Sequence, residues 1–132
     1  MRIKNPFLLF LFISLFPLIS CDPNAGDPSS DARDKYIGTW TVQEKKKITY
    51  QVQITADPSN SAQVLIGNFY NFNIQPFAIA TSGTLTIPTQ NFSTQGIKVW
   101  GVGTYTSKKL TWVYYVNDGA NQDTIHSTYT LQ

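Results

Sequence analysis

Apolar and polar residues alternate with a period of two along most of the chain after residue 36. Residues 48–56 carry the pattern most plainly. Ile48, Tyr50, Val52, Ile54 and Ala56 fall on one face, and Thr49, Gln51, Gln53 and Thr55 on the other. Successive side chains of a strand point to opposite faces, so this segment predicts a strand with one buried and one wet side. The same parity turns Trp40 and Val42 inward on a first strand, and Leu110, Trp112, Tyr114 and Val116 inward on a seventh. On an eighth it turns Ile125, Tyr129 and Leu131 inward and leaves His126 outside with Thr124, Thr128 and Thr130. Trp100 falls on the face opposite Ile97 and Val99.

Turn-forming residues recur between these runs, as Glu44-Lys45-Lys46, Asp57-Pro58-Ser59-Asn60, Ser82-Gly83, Ser107-Lys108 and Asn117-Asp118-Gly119. The predicted strands are 36–44, 47–56, 62–69, 76–82, 84–88, 97–106, 109–117 and 123–131, and no segment has a helical apolar stripe. Consecutive strands joined by short connections favour an all-β, antiparallel up-and-down sheet. Eight strands suffice to close it into a barrel and remove its edges. A two-sheet sandwich is the alternative. Two stretches break the pattern. Residues 67–74 place Phe69, Tyr70 and Phe72 among three asparagines where a polar turn is expected, and Thr89–Gly96 reads as a second long connection. Loop aromatics either fold over a barrel end as a plug or form an exposed contact surface, so Phe69, Tyr70 and Phe72 are candidates for both.

Before residue 36 the composition changes. Arg2 and Lys4 precede an apolar run, Phe7 to Ile19, interrupted only by Ser14 and Pro17. A spanning helix needs about 20 apolar residues, so this run predicts a signal-peptide core within a leader of residues 1–20. Residues 21–35 follow as an acidic, proline-dotted spacer without a large apolar residue up to Asp34, a composition that suits a flexible tether. Ser30 could cap a turn of helix there, with Asp31 in its first turn. Residues 36–132 form the barrel domain.

Charge adds little. The net charge of +2 includes both basic residues of the leader, and without them eight basic residues face eight acids. No dense basic patch argues for a nucleic-acid partner. The chemistry-bearing residues are few: one histidine, one cysteine, and Glu44 as the only glutamate, beside a lysine-rich turn. A serine–histidine–acid triad would need His126, which parity puts outside. No His, Cys or carboxylate cluster suits a metal, and Gly101 and Gly103 lie within a strand, where glycines permit bulges or bending and do not cradle phosphate. The expectation is a protein without catalytic residues, metal or cofactor. Asn91-Phe92-Ser93 fits an N-glycosylation pattern.

Leu18-Ile19-Ser20-Cys21 resembles the lipobox of bacterial lipoproteins. The resemblance implies cleavage before Cys21 and acylation of that residue, and more than one acyl chain anchors a protein stably. The membrane is then a partner through Cys21, at the outer membrane of the cell. Asp123-Thr124-Ile125 resembles the short O-glycosylation acceptor of exported Bacteroidetes proteins, with Thr124 as acceptor. Gly38-Thr39-Trp40 on the first strand resembles the Gly-x-Trp motif of lipocalins and the wider calycin group, although the arginine those proteins place on the last strand is missing from residues 123–131. The whole chain is similar to small lipocalin-like lipoproteins of Bacteroidetes-type bacteria. That resemblance implies a small apolar ligand in the barrel, lined by the inward residues Trp40, Tyr50, Val52, Val64, Ile66, Trp112, Tyr114 and Tyr129. A filled barrel acting through a protein partner, as barrel-shaped inhibitors do, is the other expectation.

Overall fold

The computed structural model describes residues 31–45 and 49–132. The expected leader, Cys21, the spacer up to Ser30 and the inward position of Ile48 lie outside the described residues. A 3-10 helix, Asp34–Tyr36, leads into eight strands: β1 (Gly38–Glu44), β2 (Tyr50–Ala56), β3 (Gln63–Gly67), β4 (Phe77–Ala80), β5 (Thr84–Phe92), β6 (Ile97–Thr106), β7 (Lys109–Asn117) and β8 (Gln122–Leu131). Each pairs antiparallel with the next, and β8 returns to β1 to close the barrel. The closing register runs from Trp40↔Leu131 to Glu44↔Ser127. A sandwich would leave two open sheets; here each of the eight strands has a neighbour on both sides. The up-and-down barrel expected from the alternation is the fold.

The period-two pattern has the packing consequence expected of it. Val42, Tyr50, Val52, Ile54, Val64, Ile66, Leu85, Val99, Leu110, Trp112, Tyr114 and Tyr129 all fill the interior. An eight-stranded barrel is only wide enough for side chains to meet across it, so the cluster is continuous from one end to the other. Gly101 and Gly103 make room for the largest of these residues. A Cβ on Gly101 would lie 2.4 Å from that of Tyr114, and one on Gly103 would lie 2.6 Å from the Trp112 ring. They are cross-strand partners of those two aromatics on β7. Their role is to make space, and the ladder irregularity sits elsewhere, on β5 between Ile87 and Gln90.

Three expectations need correction. Ala56, read as inward, is exposed as the last residue of β2, although it pairs with the buried Val64 on β3. Thr89–Gly96 is not a long connection, since β5 continues through Pro88 to Phe92. Proline removes a ladder donor, and here the Gln90 side chain supplies a substitute pairing. It accepts from the Phe77 amide at 3.0 Å and donates to the Phe77 carbonyl at 2.8 Å. The helical turn before the barrel starts at Asp34, with Arg33 at its N-cap and no side-chain cap. Arg33 also ties down the end of the spacer, donating to the carbonyls of Asp57, Asn60 and Gln63 at 3.2–3.4 Å.

Candidate functional site

The two ends of the barrel are built differently. At the end where β1 begins, Gly38 has φ +139°, a conformation that disfavours a side chain, and a Cβ there would press Leu131 at 3.0 Å. The glycine lets the chain turn tightly so that Trp40 drops into the barrel. The indole is fully buried and donates to the Tyr36 carbonyl at 2.8 Å. Tyr105 packs edge-on against both Tyr36 and Trp40, at ring separations of 5.5 and 6.5 Å. Lys35 lies over the Tyr36 and Tyr105 rings at 5.5 and 5.3 Å and donates to the Ser82 carbonyl. A cation therefore does sit over the aromatic lid, supplied from before the first strand, while the last strand carries no arginine. Tyr36 completes the seal by donating to the Thr81 carbonyl at 2.8 Å. Every polar atom of Trp40 and Tyr36 that donates has an acceptor. This end is closed.

The opposite end carries the plug. The β3–β4 connection turns through four residues with positive φ, Asn68, Tyr70, Asn71 and Asn73. Asparagine tolerates that region better than other side chains, which explains the three asparagines flagged in the sequence. The bridge Phe69↔Ile74 and the bond from the Phe69 amide to the Ile74 carbonyl, 3.0 Å, pinch the loop shut. Phe69 is thereby pushed into the barrel, 4.7 Å from the Tyr114 ring and 6.4 Å from Trp112. Tyr70 is buried beside it, 6.0 Å from Tyr114, whereas Phe72 stays 44% exposed. Phe69 and Tyr70 thus plug the barrel, and Phe72 faces outward.

Beneath the plug lies the chain's only glutamate. Glu44, only 6% exposed, points inward at the end of β1. Its Oε1 accepts from the Tyr50 and Tyr114 hydroxyls, at 2.7 Å each, while Oε2 has no hydrogen-bond partner among the described residues. Burial is the main cause pushing the Tyr50 hydroxyl far above its ordinary pKa, with the Glu44 contact adding to it. Burial does the same for Tyr114, reinforced by the neighbouring Tyr129 and Tyr50. Tyr129 is also raised by burial. All three remain protonated donors at neutral pH. The row containing Glu44 continues across the barrel wall: Glu44 pairs with Ser127, and Ser127 pairs with Trp112. One step deeper the Tyr129 hydroxyl interacts with that of Tyr50, while Trp112 Nε1 and Ser127 Oγ are buried with no hydrogen-bond partner among the described residues. Buried polar groups are seldom left so.

Two recesses reach Glu44. One, of about 380 Å³, opens at the mouth between Glu44, Lys45, Tyr70, Asp123, Ile125 and His126. It exists because the described pairing of β1 with β8 stops at Glu44↔Ser127 although β8 begins at Gln122. The other, of about 390 Å³, lies over Ser127 and Trp112 on the wall beside it. Pockets of this size hold small molecules. The expected lining residues Trp40, Tyr50, Val52, Val64, Ile66, Trp112, Tyr114 and Tyr129 are all inward and buried together, as core. Among them, Trp112 borders a recess that reaches Glu44. His126 and Thr124 are exposed on β8, at the rim of the mouth. Among the described residues no group of three or more His, Cys, Asp or Glu could hold a metal ion. Nor is any helix among them long and apolar enough to cross a membrane.

A second feature lies on the outer wall. Trp100 and Tyr115, cross-strand partners, stack at 5.2 Å and 15° beside the exposed Val102 and Val113. No family model, curated protein or solved structure matches the chain. The site is therefore read from its own geometry.

Proposed function

We propose that this chain is an exported lipoprotein, anchored to the outer membrane through acylated Cys21, whose lipocalin-like barrel binds a small, largely apolar ligand at its mouth. It acts by binding and not by chemistry. What supports the reading is one observation above all: the mouth recess ends on a buried, half-satisfied carboxyl flanked by unpartnered polar atoms, while the opposite end is sealed and satisfied. Because Phe69 and Tyr70 occupy the upper interior, the ligand sits against the plug. The deep residues Val52, Val64 and Ile66 support it from below as packed core.

A neutral, environment-sensitive apolar dye such as N-phenyl-1-naphthylamine tests the site. It should bind the full chain and lose that binding in Ile125→Lys, while Val102→Ser leaves it unchanged. Dye binding that follows Val102 and ignores Ile125 would favour the second reading, a protein-interaction surface on the outer wall. That reading draws on the exposed Val102 and Val113 beside the Trp100–Tyr115 stack, an apolar cluster of the kind that marks contact sites. The anchor has its own test, since Cys21→Ala should abolish incorporation of a fatty-acid analogue during growth.

A further inference from the structure

We propose that the mouth recess is selective for a small organic ammonium compound with an apolar or aromatic body, held by Glu44. The inference deepens the binding role proposed above and rests on it. A carboxyl group can accept several hydrogen bonds, and Glu44 receives two, both on Oε1. Both donors are neutral tyrosines, and among the described residues the group has no cationic partner. Lys45 borders the same recess but makes no ion pair with it, and the ion pair among the described residues is Arg33–Asp31, at the other end of the barrel. A buried carboxyl without a cation is the element a ligand ammonium would complete, through charge-assisted bonds that are roughly twice as strong as neutral ones.

The surroundings favour the same chemistry. The Tyr70 ring walls the recess, with Tyr114 behind it, and aromatic faces attract an ammonium. Ile125 supplies an apolar wall for the body of the molecule, and Asp123 adds a second carboxylate at the rim, beside Lys45. The unpartnered Trp112 Nε1 and Ser127 Oγ, on the strands beside Glu44, are an independent sign that this layer is completed by a guest. Two tyrosine donors hold Glu44 in place before any ligand arrives, which lowers the ordering cost of binding.

The test titrates the full chain, in mild detergent with a matched blank, with 2-phenylethylamine, 2-phenylethanol and phenylacetate. These probes share a ring and differ in charge. The amine should bind about tenfold or more tighter than the alcohol, the range a charge-assisted bond provides, and phenylacetate should bind weakest. Glu44→Gln should remove that preference, and Asp123→Asn should reduce it by about two- to threefold. Should Glu44→Gln not fold, the ranking of the three probes on the unaltered chain, with the exposed Asp123→Asn, still decides. Equal binding of amine and alcohol that Ile125→Lys abolishes would overturn the ammonium selectivity and leave the binding role standing. If none of the three probes binds, and the dye does not bind either, both ideas fail.

Discussion

The two ends of this barrel use aromatic residues for opposite purposes. Around Trp40 the rings of Tyr36 and Tyr105 pack edge-on, a lysine covers them, and both the indole and the Tyr36 hydroxyl donate to carbonyls. Around Trp112 the rings are as tightly packed, yet Trp112 Nε1 and Ser127 Oγ are unpaired among the described residues and a carboxyl lies beside them. Burial is equal at the two ends, but hydrogen-bond satisfaction is not. An unpaired buried polar group costs free energy that packing must offset. The satisfied end therefore reads as structural, and the unsatisfied end is the one to which we assign the proposed binding role.

The largest expected effect breaks the structural end. Trp40→Ala should destabilise the protein by about 3–5 kcal/mol, the usual cost of deleting a large buried aromatic. Urea melts would measure it, and a loss under about 1 kcal/mol would contradict the lid role. A smaller effect sharpens the functional end. Tyr50→Phe and Tyr114→Phe should each cost about 1.5–3 kcal/mol, the range for a hydrogen bond to a charged or ionisable partner. The double variant should lose more than the sum, because only then does Oε1 lose both donors. A double-mutant cycle reads that coupling directly, and simple additivity would mean the two bonds are independent.

Alkaline titration compares the ends by another route. Tyr50, Tyr114 and Tyr129 have folded-state pKa values raised by burial, whereas in the unfolded chain a tyrosine ionises near pH 10. The neutral hydroxyl favours the folded state, so this contribution is complete below about pH 10 and declines as pH rises beyond it. Each such tyrosine can remove up to about 1.4 kcal/mol per pH unit there. Absorbance of tyrosinate should accordingly show these three titrating only together with loss of tertiary structure. Titration in a still-folded protein would place them near solvent. The smallest effect is expected for His126→Ala, exposed on the outer face of β8, which should change stability by no more than about 0.5 kcal/mol.

How legible these ends were in the sequence differs by physical cause. Strands with one wet face declare themselves by parity, so the ring of eight and the inward tryptophans could be read directly. Glu44 shares the parity of Trp40 and Val42, and the signal for its burial was present. Its neighbour Lys45 and the lysines after it read as a turn, and composition outweighed phase. Ser127 likewise has the phase of Ile125 and Tyr129, but a small polar residue carries no hydrophobic signal. Pro88 hid the second half of β5, because the Gln90 contact that replaces its missing pairing is a tertiary event that no local rule contains. The plug was half visible. Asparagines announced the unusual backbone, yet only the closed barrel decides which of Phe69, Tyr70 and Phe72 turns in.

The Arg33 clamp has a geometric consequence for a protein tethered as proposed. The guanidinium grips the β2–β3 turn, and Tyr36 grips the β4–β5 turn, so the chain joins the barrel on the sealed face. From Cys21 to Asp31 is ten residues, a reach of at most about 35 Å. The sealed face is the one such a leash draws toward the bilayer, and the recess over Glu44 then looks away from the lipid, a full strand's length out. A molecule arriving there comes from the aqueous side. On that tethering a ligand of the proposed kind would reach the mouth through water, and one held in the acyl chains would meet the sealed pole.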